Sequence, residues 1–162
     1  MINDMKKLID EIARSGDCVV LPSSGFPKGI SSEASHSDIV EFYTLCGGIL
    51  FYPNSEYAIE IVQPKDFVSS NERILGEQYD DISASWYVIA QSGLEQFISI
   101  DLDPDRYGRC YDSFYDTHAV AGSCPIIAVS LIDLIQRLFR SSGAYWYWLD
   151  DQKFESIGDA YD

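Results

Sequence analysis

Residues 101–105 read Asp-Leu-Asp-Pro-Asp, and these alternating carboxylates are how a calcium-binding loop of the EF-hand type begins. Such a loop needs glycine at its sixth position and glutamate at its twelfth, where this chain has Arg106 and Asp112. Pro104 and Gly108 are instead typical of a solvent-exposed hairpin turn. We therefore predict a turn at this segment, and neither a metal site nor a cofactor in the chain.

His36 and His118 are the two histidines of the sequence, and neither has a recognisable catalytic partner. A nucleophilic serine or cysteine needs a base held by a third group, and the sequence contains no Gly-x-Ser-x-Gly turn. It also contains no glycine-rich loop of the nucleotide-binding kinds. Two of the many carboxylates could still meet as the acid and base of a hydrolase. We predict that the protein is not an enzyme, and keep a carboxylate-dependent hydrolase as an alternative.

The chain is strongly acidic, with 26 acidic and 11 basic residues among 162 and a net charge of -15. Thirteen of the acids lie in residues 56–116, together with four basic residues. This charge repels nucleic acids and anionic membranes, whose binding relies on lysine and arginine. We therefore exclude both as partners and expect a basic polypeptide, although an acidic surface that binds nothing is the alternative.

The candidate contacts for a basic partner are acids of this region that fall in predicted loops and at predicted strand ends. They are Glu72, Glu77, Asp80, Asp81, Asp103, Asp105, Asp112 and Asp116. Residues 145–148 are four consecutive large aromatics, which cannot all face one side of a helix or strand. Trp146 and Trp148 are therefore further candidates, as exposed anchors of an interface, with packing against the sheet as the alternative.

Four cysteines, Cys18, Cys46, Cys110 and Cys124, are too widely spaced for a zinc site and are predicted to be small buried residues. The first residues show no secretory signal, and the sequence has no run of 18 apolar residues. We expect a cytoplasmic protein.

Two amphipathic helices are predicted near the start of the chain from apolar residues at helical spacing. The first spans residues 2–14. The second starts after Ser35, which has the spacing of a capping box, and ends at Gly47-Gly48, where left-handed backbone geometry is expected.

Apolar runs and turn residues predict a series of antiparallel strands after the second helix. Residues 49–52 and 57–62 read as a hairpin, and residues 86–90, 97–100 and 110–114 as three further strands. Between these two groups we expect short helical pieces and an exposed loop that ends at Asp81.

A closing helix is predicted to begin at Ser130, with Asp133 at the reciprocal capping position, and to end at residues 141–143. The element order indicates an α+β fold, with a central antiparallel β-sheet of about five or six strands packed against N-terminal and C-terminal helices. We predict a single domain over residues 1–162, with an aromatic and acidic C-terminal extension at about 144–162.

The order of these motifs resembles the SUKH superfamily. The resemblance is carried by the helix, glycine pair and strand at residues 42–51, by residues 86–93 and 97–101, by residues 108–111, and by the closing helix. The positions that match the family's structural motif are Gly47, Gly48, Trp86, Gly93, Asp101 and Gly108. The resemblance implies a binding domain: most members are bacterial immunity proteins that block toxins, often nucleases, and others regulate yeast cell-wall synthesis or contact the Sec translocon.

Taken together, the sequence predicts an immunity protein that binds a cognate polymorphic toxin domain, a basic nuclease, and occludes its active site. A regulatory adaptor that binds another cytoplasmic or translocon protein is the alternative. The sequence leaves open whether the protein is a monomer or a homodimer.

Overall fold

The computed structural model describes residues 4–30 and 37–162. Its helices are α1 (Asp4–Arg14), α2 (Asp38–Leu45), α3 (Ser70–Leu75) and α4 (Leu131–Arg140). Its strands are β1 (Val19–Leu21), β2 (Gly48–Phe51), β3 (Ile59–Ile61), β4 (Trp86–Ser92), β5 (Gln96–Asp101), β6 (Cys110–Asp112) and β7 (Ile126–Ala128). Short 3-10 turns lie at Pro64–Asp66, Ile82–Ser85 and Tyr147–Leu149.

Within the described part of the chain, the seven strands form one sheet in the order of the sequence, and every neighbouring pair is antiparallel. The predicted α+β fold is confirmed. Two strands were not expected from the sequence, β1 and β7, each only three residues long. Such short segments carry no alternation that distinguishes them from loop.

The glycine pair after α2 does not cap the helix as predicted. The helix ends at Leu45, and the backbone is already extended at Cys46. A Cβ atom on Gly47 would lie 2.3 Å from the carbonyl oxygen of Pro22, and one on Gly48, whose φ is 141°, would lie 2.8 Å from that of Ile61. The two glycines therefore allow the backbone of Pro22, just after β1, and the backbone of Ile61, in β3, to lie close to the start of β2. A larger residue at either position would clash with them.

The predicted cap of α2 also needs correction. Ser35 and His36 lie outside the described residues, and the side chain of Ser37 caps the helix by accepting a hydrogen bond from the backbone N–H of Ile39 at 3.2 Å. The cap of α4 is as predicted, since the hydroxyl oxygen of Ser130 accepts a hydrogen bond from the N–H of Asp133 at 3.1 Å.

The two faces of the sheet are covered differently. Helices α1, α2 and α4 pack on one face over buried residues such as Ile49 and Ile61. The other face is covered by α3 and by the segment between β6 and β7, where the hydroxyls of Ser70, Ser99 and Ser113 form a buried chain with 2.7 and 2.6 Å spacings. This second layer carries most of the predicted acidic contacts.

The aromatic and acidic C-terminal residues form part of the packed structure. Tyr147 and Trp148 are buried in the main core. Further along, the N–H of Ile126 donates to Gly158 and the N–H of Ala160 donates to Cys124, at 2.8 and 3.0 Å. The C-terminal segment therefore covers the outer edge of β7, an edge that would otherwise be open to another strand.

Candidate functional site

The ten predicted contact residues differ in exposure. Six are exposed, namely Glu72, Glu77, Asp80, Asp81, Asp105 and Asp116. Asp103 and Trp146 are half-buried, and Asp112 and Trp148 are buried. Asp112 lies in β6, and the other acids lie in three places: Glu72 to Asp81 in and after α3, Asp103 and Asp105 between β5 and β6, and Asp116 between β6 and β7.

The prediction of an exposed Asp112 is wrong. Its carboxylate accepts hydrogen bonds from Gln96 Nε2 at 2.8 Å, from the N–H of Phe114 at 3.1 Å and from Trp148 Nε1 at 3.1 Å. Burial raises the pKa of Asp112 above its ordinary value. Because Trp148 is committed to this bond, and Trp146 stacks on it with ring centroids 5.4 Å apart, the packing alternative is the correct one for Trp148.

The segment that resembles the start of a calcium loop is the predicted turn. Arg106 stands where a glycine would be needed, and its Nε lies 3.0 Å from the carboxylate of the fully buried Asp101. That carboxylate also accepts from the hydroxyls of Tyr111 and Ser85, each at 2.6 Å. The described residues contain no group of three or more His, Cys, Asp or Glu side chains able to hold a metal ion.

An exposed acidic loop follows α3, as predicted. The helix ends at Leu75, its C-cap residue Gly76 has a left-handed φ of 86°, and the chain then turns through Glu77 to Asp81. The Asp81 carboxylate accepts from the Ser83 hydroxyl and from the Tyr161 hydroxyl, both at 2.7 Å. Within residues 4–30 and 37–162 we find no ion pair that neutralises Glu77, Asp80 or Asp81.

A cavity of about 370 Å³ opens beside this loop, and we call it the acidic cavity. Its lining combines two carboxylates with apolar side chains and one buried imidazole. The lining residues are Leu75, Tyr79, Asp80, Asp81, Ser83, His118 and Ala119. Tyr79 is 46% exposed, and its hydrogen bond with Glu77 raises the pKa of Tyr79 above its ordinary value.

His118, for which the sequence showed no catalytic partner, lies in the segment between β6 and β7 and is buried. Its Nε2 lies 2.7 Å from Asn71 Oδ1. The amide nitrogen of Asn71 donates to Ser83 at 2.9 Å and to Gln78 at 3.2 Å, so its oxygen must be the atom that faces the imidazole. Nε2 therefore carries the proton, and Nδ1 is unprotonated and can only accept a hydrogen bond. Nδ1 is buried and has no hydrogen-bond partner in the described residues.

Comparison with known proteins places the chain in a family. It is 44% identical over 156 residues to immunity protein YokJ of Bacillus subtilis (strain 168), an alignment that covers 96% of this chain and 94% of YokJ. The chain belongs to the YokJ family. No family model matches the chain. No solved structure matches it either. Among the described residues of this YokJ-family chain, no helix has the length and apolar character needed to span a membrane.

The titration of His118 tests whether this imidazole is buried beside the acidic cavity of the YokJ-family fold. Burial lowers the pKa of His118 from an ordinary 6.5 to about 4. The unfolded chain therefore takes up a proton as the pH falls below 6.5, whereas the folded chain does not until the pH nears 4. We expect the free energy of unfolding to decrease across this window. Imidazole NMR signals of His118 should show a midpoint near 4, and a midpoint near 6.5 would contradict the buried placement.

A larger cavity, about 1110 Å³, lies between α1 and α4 of the YokJ-family fold. Side chains of both signs line it, including Lys7, Glu11 and Arg140. Tyr52 and Ser142 also line it and have the left-handed φ values of 49° and 54°. Its mixed charge does not match the basic partner expected from the sequence, so the acidic cavity is the better candidate under that expectation.

Proposed function

We propose that this chain is an immunity protein that binds a cognate polymorphic toxin domain and holds it inactive. The observation that carries the proposal is its 44% identity, over nearly the full length of both chains, to a protein named as an immunity protein. The order of its motifs supports a finer assignment to the SUKH superfamily, as a single binding domain that acts in the cytoplasm without a cofactor. Inhibition by binding requires no catalytic residue of its own.

The charge of the chain supports a basic toxin. The net charge is -15, and Glu77, Asp80 and Asp81 project from one loop without a cationic partner in the described residues. Complementary charge raises the rate at which two proteins meet and disfavours partners of the wrong sign. A nuclease fits this description, because an enzyme that binds a phosphate backbone carries a basic surface around its active site.

Occlusion is the proposed mechanism. The exposed acids of the second layer would occupy the basic surface that the nuclease offers to its substrate, and so exclude nucleic acid from it. In this arrangement the contacts come from Glu72, Glu77, Asp80, Asp81, Asp103, Asp105, Asp116 and Trp146. Asp112 and Trp148 contribute by holding the C-terminal segment on the sheet.

The test is binding to the polypeptide encoded beside this chain, measured at several salt concentrations. We expect a stable complex, and survival of cells that express both proteins. Because unlike charges steer the encounter, the association rate should fall steeply as salt is raised, while the dissociation rate changes much less. Absence of both binding and protection would refute the immunity function. Binding with a salt-independent association rate would refute the electrostatic contribution alone.

A further inference from the structure

We propose that the exposed side of α1 is the interface of a homodimer, in which the α1 helices of two copies of this chain lie antiparallel. This interface lies on the opposite face of the sheet from the exposed acids of the second layer, so it is separate from the proposed toxin contacts. It depends on three features: the order of the charges along α1, the local balance of charge, and the apolar surface beside the helix.

The exposed side of α1 carries charges of alternating sign. Four exposed residues form this charge stripe: Asp4, Lys7, Glu11 and Arg14. Their spacings of three, four and three residues place them in one line along the helix, on the side opposite its buried residues. Within residues 4–30 and 37–162, no salt bridge involves Lys7, Glu11 or Arg14. These three side chains can therefore pair with charges of another molecule.

The charge stripe is complementary to itself when it is reversed. In an antiparallel pair of α1 helices whose two-fold axis is level with residue 9, residue 4 lies opposite residue 14 of the second copy, and residue 7 opposite residue 11. Asp4 then faces Arg14 and Lys7 faces Glu11, each pair occurring twice. A parallel pair with equal residues level would place like charges together. A two-fold symmetric dimer needs a self-complementary surface of this kind.

The local balance of charge favours a second copy at this surface over a basic toxin. Each copy has a net charge of -15, so most of its surface repels another copy. Helix α1 is different, because it contains three acids and three bases, and the neighbouring α4 contains one acid and two bases. Two copies can therefore approach through these helices without strong repulsion, whereas a basic partner gains little there.

The larger cavity between α1 and α4 supplies apolar surface beside the charge stripe. Leu8, Tyr52, Ile132 and Phe139 line this cavity and are half-buried. Exposed salt bridges contribute little individually, so an interface also needs apolar contact inside its polar rim. The methylene stems of lysine and arginine side chains from the second copy can cover such surface. The charge stripe therefore determines the orientation of the dimer, and the apolar surface adds to its affinity.

The first experiment is sedimentation equilibrium of the full chain at concentrations up to about 0.5 mM, a range that detects weak dimers. We expect a dimer of the wild-type chain. Lys7→Glu should weaken it at least about tenfold, because like charges would then meet at both Lys7 positions. Lys65→Glu, an equal change of charge at an exposed residue of the turn after β3, should leave the dissociation constant within about twofold. A monomeric wild-type chain, or equal effects of the two substitutions, would overturn the inference.

The second experiment exchanges the charges. Lys7→Glu and Glu11→Lys combined in one chain keep the net charge and restore opposite signs across the interface, so dimerisation should return to within about threefold of wild type. Chains that carry one substitution each should pair with each other more tightly than either pairs with itself. If the combined variant stays as monomeric as Lys7→Glu alone, and the mixed chains do not pair, the antiparallel arrangement is wrong.

Discussion

Replacing Trp86 by alanine is expected to lower the free energy of unfolding by about 3–5 kcal/mol. Trp86, in β4, is fully buried, and its ring contacts rings from three other parts of the chain. Its ring lies 4.5 Å from that of Tyr111 on β6, 5.7 Å from that of His118, and 6.0 Å from that of Tyr161 in the C-terminal segment. An alanine would leave a cavity that these rings, each fixed by its own hydrogen bond, cannot easily fill.

The control for this variant is Trp86→Phe. The indole nitrogen of Trp86 has no hydrogen-bond partner in the described residues, so phenylalanine keeps a packed ring and loses no hydrogen bond. We expect it to cost much less than alanine. Urea denaturation at fixed pH would give both values, with an unchanged slope indicating that only stability has changed. Equal losses for the two variants would mean that Trp86 does not connect these segments. The alanine variant should also fail to protect cells from the toxin.

Replacing Gly47 by alanine is expected to cost about 3 kcal/mol, at the upper end of the range for overpacking. The added methyl group would lie 2.3 Å from the carbonyl oxygen of Pro22, and a backbone atom cannot move aside as a flexible side chain can. To relieve the contact, the chain after β1 must shift away. That shift would break the hydrogen bond from the N–H of Gly47 to Leu21, which is 2.9 Å long.

Gly29→Ala is the matched control for this second variant. A Cβ atom there meets the ring of Tyr87 at 3.5 Å, an ordinary contact, and we expect a change within about 0.5 kcal/mol. Thermal unfolding would measure both variants, and hydrogen exchange of the amide of residue 47, whose N–H donates to the carbonyl oxygen of Leu21, would report whether β1 has loosened. Slow exchange of this amide in Gly47→Ala would contradict the clash.

The elements that could be predicted from the sequence are those specified by neighbouring residues. The cap of α4 at Ser130 and Asp133, and the turn between β4 and β5 at Gly93, each depend on residues a few positions apart. The same is true of the turn after Asp101, where proline and glycine indicate the geometry. The α+β class followed from the order of such elements.

The features that could not be predicted depend on residues far apart in the chain. Asp112 is buried because Trp148, 36 residues later, donates to it. His118 has a partner because Asn71, 47 residues earlier, faces it across the second layer. No local pattern signals either contact. The acidic loop itself was located correctly, but only the folded chain shows that its carboxylates share a cavity with a buried imidazole.

The strand order has a consequence for the kinetics of folding. Each strand pairs with the strand that comes next in the sequence, so the sheet forms by joining segments that are neighbours in the chain, which costs less chain entropy than joining distant segments. The acidic cavity needs α3, the His118 segment and Tyr161 together, and these are far apart in the chain. We therefore expect the contacts of the sheet to form earlier in folding than the contacts that surround the acidic cavity.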